Sequence, residues 1–142
     1  MTTYRKVLLD TSAIVAIFQP NEQNHAACVD VLKTIITPML TTWPVITEAH
    51  YLLRNDRHAQ EALIELVADS AAVTLCPIEL PFFDWYKQFV LRYHDHDIQL
   101  ADASLVWLAG QRKTNVVFTL DRRDFSVFRV NDASMFQILP YG

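Results

Sequence analysis

Residues 6–18 read KVLLDTSAIVAIF. Val7–Leu9 is apolar on consecutive rather than alternate positions, which predicts a short strand over Lys6–Leu9 buried on both faces. Asp10 ends it, and helical spacing of apolar residues runs from Ser12 to Phe18. A buried strand leading through an acid into a helix opens a parallel α/β unit. Such sheets bind ligands beyond the carboxyl ends of their strands, where Asp10 falls. Asp10 also has an ordinary reading as a turn or cap residue, with Thr11 and Ser12 offering hydroxyls to cap the helix.

Working outward, the same alternation continues. Helical periods are predicted over 21–36, 44–53, 57–69, 81–93 and 100–112, the last ended with the help of Gly110 and Asn115. Short strands are predicted over 39–41, 72–75, 116–119 and 135–139. The order implies a mainly parallel sheet with helices on both faces. The 142 residues carry no linker or repeat, so one domain over 1–142 is expected. With 51% hydrophobic residues and 20% charged, the chain has the makings of a core and is unlike a disordered segment.

Two glycines, Gly110 and Gly142, leave no Gly-rich phosphate loop near the first strand. Cys28 and Cys76 are far apart, which argues against a zinc cluster or disulfide framework and suits a reducing compartment. No apolar run reaches the ~18 residues of a membrane span. A cytoplasmic protein without membrane attachment is expected.

Four more acids stand in apolar surroundings. Glu48, in WPVITEAHYLL, lies at the edge of an apolar helical arc. Asp102, in QLADASLVWLA, is the only formal charge from Leu100 to Gly110. Asp121 and Asp124 follow the strand VVFT, whose Thr119 adds a hydroxyl. Each alone has a plain structural account: a boundary glutamate, an acid at a helix N-terminus, a polar turn. Together, carboxylates converging on one sheet edge would repel and need protons or a divalent cation. Oxygen donors without histidine or cysteine favour Mg²⁺ or Mn²⁺ over zinc. Such an ion can activate water and stabilise charge on a phosphate.

The charge balance agrees. Twelve basic and 16 acidic residues give −4, and setting aside Asp10, Glu48, Asp102 and Asp121 leaves 12 against 12. Eight of the bases are arginine, the better phosphate fork. Arg54 and Arg57, Arg112 and Lys113, and Arg122, Arg123 and Arg129 are read as phosphate contacts around a metal site, against the alternative of ordinary solvated charge. His94, Asp95, His96 and Asp97 fall in a loop before the Asp102 helix, and no histidine is given a role.

The ordered set LLDTSAIVA, PVITEAHYLL, QLADASLVWLA and FTLDRRDF, spanning residues 8–125, resembles the PIN-domain ribonucleases, specifically the VapC-like toxins of toxin–antitoxin pairs. The resemblance implies an α/β/α sandwich around about five mainly parallel strands. It implies an Mg²⁺- or Mn²⁺-dependent endoribonuclease leaving a 5′-phosphate and a 3′-hydroxyl. The family's acids map to Asp10, Glu48, Asp102 and Asp121, with Asp124 as an additional acid and Ser12 and Thr119 as site hydroxyls. Asp10, Asp102 and Asp121 would hold metal, with Glu48 completing the shell or orienting water. Arg54, Arg57, Arg122 and Arg123 would rim an RNA-facing groove. A homodimer and a cognate antitoxin are expected partners. The exposed-looking aromatics, above all in PFFDWYKQFVLRY, are assigned in part to such contacts.

Other readings remain at this level. A solitary PIN nuclease in RNA processing, or a non-catalytic RNA- or partner-binding module, would share the motifs. A receiver domain would need an adjacent acidic pair after the first strand, and a haloacid-dehalogenase-like phosphatase would need Asp-x-Asp, whereas Thr11 and Ser12 follow Asp10.

Overall fold

The computed structural model describes residues 2–141. Five parallel strands form the central sheet: β1 (Leu8–Leu9), β2 (Met39–Thr41), β3 (Val73–Leu75), β4 (Val116–Phe118) and, skipping a hairpin, β7 (Gln137–Leu139). Their order across the sheet is β3-β2-β1-β4-β7. The chain builds outward from β1 to β3, then crosses back to lay β4 on the other side of β1. The switch therefore lies between β1 and β4, paired in register as Leu8 with Val117 and Leu9 with Phe118. Strand order reverses there, so a crevice opens beyond the two carboxyl ends.

Seven helices complete the fold: α1 (Thr11–Phe18), α2 (His25–Leu32), α3 (Trp43–Leu52), α4 (Arg57–Ala68), α5 (Pro81–Arg92), α6 (Leu100–Arg112) and α7 (Arg122–Phe125). Pro44 sits in the first turn of α3 and Pro81 in that of α5, where a missing N–H costs nothing. Asp56 caps α4 by accepting from Ala59 N at 3.1 Å. α6 is buried from Ala101 through Val106 and again at Leu108 and Ala109, packed against α3 and α5. It runs through Gly110 rather than stopping there; Lys113, at φ 56°, ends it. A Cβ on Gly110 would meet Asn131 Oδ1 at 2.5 Å, so the bare glycine serves close packing, not termination.

Besides the helix expected over 21–36, which forms only over His25–Leu32, three expectations change. The expected strand 135–139 splits at the buried Phe136. Its first part becomes β6 (Ser134–Met135), which pairs antiparallel with β5 (Arg129–Val130). Asn131 and Asp132 make the turn with φ of 49° and 59°, residues that tolerate left-handed backbone. The first strand is shorter than expected because Lys6, at φ 51°, breaks extended backbone before Leu8. The third concerns the aromatics of α5. Phe82 and Phe89 are buried, and Trp85 stacks on Phe89 with ring centroids 4.7 Å apart. Just past the helix, Tyr93 is buried, and its hydroxyl accepts from Arg129 N at 3.1 Å. Most of that aromatic mass is internal core, joined by Trp107, Phe125 and Phe128. Exposed apolar side chains remain on α5 at Phe83 and Leu91, and a further set lies at Trp43, Tyr51 and Leu52 of α3 and Leu100 of α6.

Candidate active site

Asp10 leaves β1 at the switch point. Its backbone N–H donates to Phe118 O of β4 at 3.0 Å, which stitches the two strand ends together. It occupies the N-cap position of α1, yet its side chain makes no cap bond. The carboxylate turns instead towards Thr119, whose Oγ1 donates to Asp10 Oδ2 at 2.6 Å. Thr119 Oγ1 also accepts from Asp121 N at 2.9 Å and lies 3.2 Å from Ser12 Oγ. A hydroxyl has one proton; Thr119 spends it on Asp10, so Ser12 is the donor to Thr119. Ser12 Oγ in turn accepts from Leu120 N at 2.8 Å. The expected capping role of Thr11 and Ser12 is thus replaced: Ser12 serves this chain, and Thr11 Oγ1 donates across to Val45 O at 3.4 Å. Asp10 Oδ1 is buried with no partner among the described residues. A buried carboxylate oxygen left unpaired is costly, and points to a ligand.

Asp102 enters from the first turn of α6 and is only 7% exposed. The helix is pinned there by Thr42, at the head of α3: Ser104 Oγ donates to Ala101 O at 2.6 Å, leaving Thr42 Oγ1 to donate to Ser104 Oγ at 2.7 Å. The two hydroxyls went unnoticed in the sequence, where nothing but the neighbouring Asp102 marks Ser104. Asp121 caps α7 by accepting from Asp124 N at 3.1 Å, which brings Asp124 round to the same side. One oxygen from each of Asp102, Asp121 and Asp124 lies within 4.8 Å of the others. Asp124, an additional acid by sequence, is therefore part of the central trio. Asp10 and Glu48 stand outside that tight group but flank it.

The electrostatics show the crowding. Burial, then the charges of Asp10, Asp121, Asp124 and Glu48, push the Asp102 carboxyl up to about 8, with no cation or hydrogen bond pulling the other way. Burial pushes Asp10 up to about 6, opposed by the Thr119 hydroxyl, while the charges of Glu48 and Asp121 add to the rise. Burial and then Asp121 raise half-buried Glu48. Asp124 is raised by burial and by Asp121, with Arg123 and His96 opposing. Five carboxyls around one crevice, an orphaned oxygen and three oxygens within 4.8 Å fit a hard divalent cation. No histidine or cysteine belongs to the trio.

The basic residues divide. Arg122 and Arg123 are exposed on the short α7, beside Asp121. Arg54 and Arg57 lie beyond the carboxyl end of α3; Arg54 covers the Tyr51 ring at 4.1 Å, and Arg57 pairs with Glu61 at 3.4 Å. Arg129 turns inward, its Nη1 donating to Ser126, Val127 and Phe128 carbonyls. Arg112 and Lys113 stand at the opposite end of α6 from Asp102, about 15 Å away by helical rise, so they are not contacts around this site. In the preceding loop His94 pairs with Asp95 at 3.1 Å, both exposed.

Residues 7–131 match the PIN domain family. The chain is 30% identical over 136 residues to Ribonuclease VapC26 of Mycobacterium tuberculosis (strain ATCC 25618 / H37Rv), covering 94% of this chain and 100% of that protein. The fold is similar to the crystal structure of Mycobacterium tuberculosis VapC20, described as a sarcin–ricin loop cleaving toxin. The TM-score is 0.74 at 14% identity, over 82% of this chain and 91% of that one. A five-stranded parallel sheet, carboxylates gathered at its switch point and a family match over nearly the whole chain agree: the chain belongs to the PIN-domain family.

Proposed function

We propose that the protein is an Mg²⁺- or Mn²⁺-dependent endoribonuclease and the toxin of a toxin–antitoxin pair. The observation that carries this reading is the Asp102–Asp121–Asp124 trio within 4.8 Å, next to the unpaired Oδ1 of Asp10. The 30% identity to a protein named a ribonuclease supports RNA as the substrate.

Asp10, Asp102 and Asp121 would hold the cation, with Asp124 adding a fourth carboxylate. When bound, it supplies a polarised water and neutralises charge on the phosphate. Thr119 and Ser12 fix the direction in which Asp10 presents its oxygens. Glu48, raised by burial, orients the attacking water from the α3 side and is well suited to take its proton. Arg122 and Arg123 stand where phosphates flanking the cut would pass, while Arg54 and Arg57 have weaker claims, being engaged with Tyr51 and Glu61.

The exposed stripe Trp43, Thr47, Tyr51, with Leu100 across a cavity of about 610 Å³ that reaches Glu48, is the face we assign to a second copy or to an antitoxin helix. No helix among the described residues is long and apolar enough to cross a membrane, and Cys28 and Cys76 are free thiols. Both facts are consistent with the proposed cytoplasmic site of action.

Purified protein should cut RNA with Mg²⁺ or Mn²⁺ and stop in chelator; Asp102→Asn should be inactive with either ion. Full activity in EDTA would sink the proposal.

A further inference from the structure

The far end of the sheet holds a second charged feature, opposite in sign. A cleft of about 510 Å³ opens at the amino ends of the strands, between the segment before β1, the segment before β2 and the end of α6. Arg5, Lys6, Arg112 and Lys113 line it, over a floor that includes Pro38 and Leu40, and no acid lines it. None of these four cations is in an ion pair among the described residues, although the chain as a whole is acidic.

Helix capping accounts for only part of this charge. The carboxyl end of α6 carries about half a negative charge. Lys6 Nζ already answers it, donating to Arg112 O at 3.2 Å. That leaves Lys6 two further N–H donors and leaves the other three cations surplus. The backbone adds a second observation. Lys6 and Lys113 have φ of 51° and 56°, where glycine or asparagine would be less strained than lysine. Thr114 Oγ1 donates to Lys6 O at 2.9 Å and locks the two segments together. Two lysines and two arginines, all exposed, surround an acid-free cleft of a size and charge suited to anions. Arginine forks and lysine ammoniums suit phosphate oxygens.

We propose that this cleft binds phosphates of the RNA strand remote from the cut, so that longer RNAs are held at both poles of the domain. That the bound strand is the one being cut rests on the ribonuclease reading; the contact itself does not. Asp102 and Arg112 are about 15 Å apart along α6. Phosphates of one helical strand repeat about every 3.4 Å. At that stacked spacing the cleft lies about five nucleotides beyond the cut.

The variant Lys6→Asn/Lys113→Asn removes two charges while placing residues that accept left-handed backbone, and adding Arg5→Gln/Arg112→Gln removes the rest. Binding is read by fluorescence anisotropy of the full chain in EDTA, where a labelled RNA hairpin stays intact. The four-fold variant should bind the hairpin about ten-fold more weakly, and the slope of log affinity against log salt should shrink by about 3. With Mn²⁺, cleavage of an oligonucleotide of about four residues, too short to reach the cleft, should be unchanged. Hairpin affinity and salt slope equal to wild type would overturn the proposal. Equal losses on hairpin and short oligonucleotide would overturn it too, by locating these cations near the cut. Loss of polyglutamate binding with RNA binding retained would assign the cleft to an acidic protein segment and refute RNA as its ligand. Failure of the ribonuclease reading would appear separately, as wild-type protein that cuts no RNA with either ion while the EDTA binding result stands.

Discussion

Replacing Asp102 by asparagine keeps the side-chain shape and removes one charge from the centre of the carboxylate group. Asp102 is 7% exposed, and burial pushes its carboxyl up to about 8 in the folded chain from 3.8 when free. A folded-state pKa above the unfolded one means that the native protein holds the extra proton between those values. Stability is then full below about pH 4 and falls as pH rises towards 8. At about 1.36 kcal/mol for each pKa unit, the proton that buried Asp102 must keep lowers stability by up to about 4 kcal/mol at pH 7 in metal-free protein. Part of that cost is shared with Asp10, Asp121, Asp124 and Glu48, and a buried asparagine amide brings its own desolvation. A gain of about 2 kcal/mol for Asp102→Asn at pH 8 is therefore expected. For a domain of this size, one kcal/mol moves Tm by about 3 °C, so the variant should melt about 6 °C higher in EDTA. Its stability should also decline less between pH 5 and 8. With Mn²⁺ the order should reverse, because only the wild type keeps the full ligand set. Differential scanning fluorimetry at pH 5 and pH 8, with EDTA or Mn²⁺, reads all four states. A metal-free variant that melts below wild type at pH 8 would refute the reasoning. Asp102 would then be a helix-dipole acid whose charge stabilises α6.

Metal uptake at pH 7 should release close to one proton, chiefly from Asp102 with a smaller share from Asp10; calorimetry in buffers of different ionisation heat measures it, and a buffer-independent heat would contradict the site. Thr119→Val should leave Asp10 Oδ2 without its donor and Asp121 N without its acceptor, lowering stability by about 1–3 kcal/mol at pH 7 and reducing cleavage; urea unfolding and initial rates check both. Trp43→Glu with Tyr51→Glu should turn a dimer into a monomer at micromolar concentration without lowering Tm by more than a degree or two, since both side chains are 61% exposed; light scattering decides, and a wild-type mass of 16.4 kDa would remove the premise.

What was legible in the sequence follows from how each feature is encoded. α6 is readable to the residue because its apolar run begins after Gln99 and ends at consecutive charges. The strand-end acids are legible because a lone charge after a buried strand has few places to go. The order β3-β2-β1-β4-β7 is not written locally, and strand lengths of two or three residues are overread, since apolar residues continue past the paired ones. Asp124 is harder to place from sequence, because a polar turn and a ligand look alike until Asp121 folds the α7 turn around itself. The break at Phe136 depends on a tertiary contact, its packing edge-on against Phe125 at 5.3 Å.

The misplacement of Arg112 and Lys113 has a different origin, and it bears on how the charge of this protein should be read. They share a helix with Asp102, and nearness in sequence suggested one site. A buried helix crossing a parallel sheet instead separates its ends, at about 1.5 Å per residue, and delivers them to opposite poles. A net charge of −4 is thus a sum over two unlike surfaces: a crevice of mutually repelling carboxyls and a cleft of unpaired cations. The first attracts a divalent cation and repels RNA until that cation is bound. The second attracts phosphate with or without metal. RNA association by the metal-free protein is therefore driven from the basic pole, and metal loading determines whether the acidic pole admits the strand.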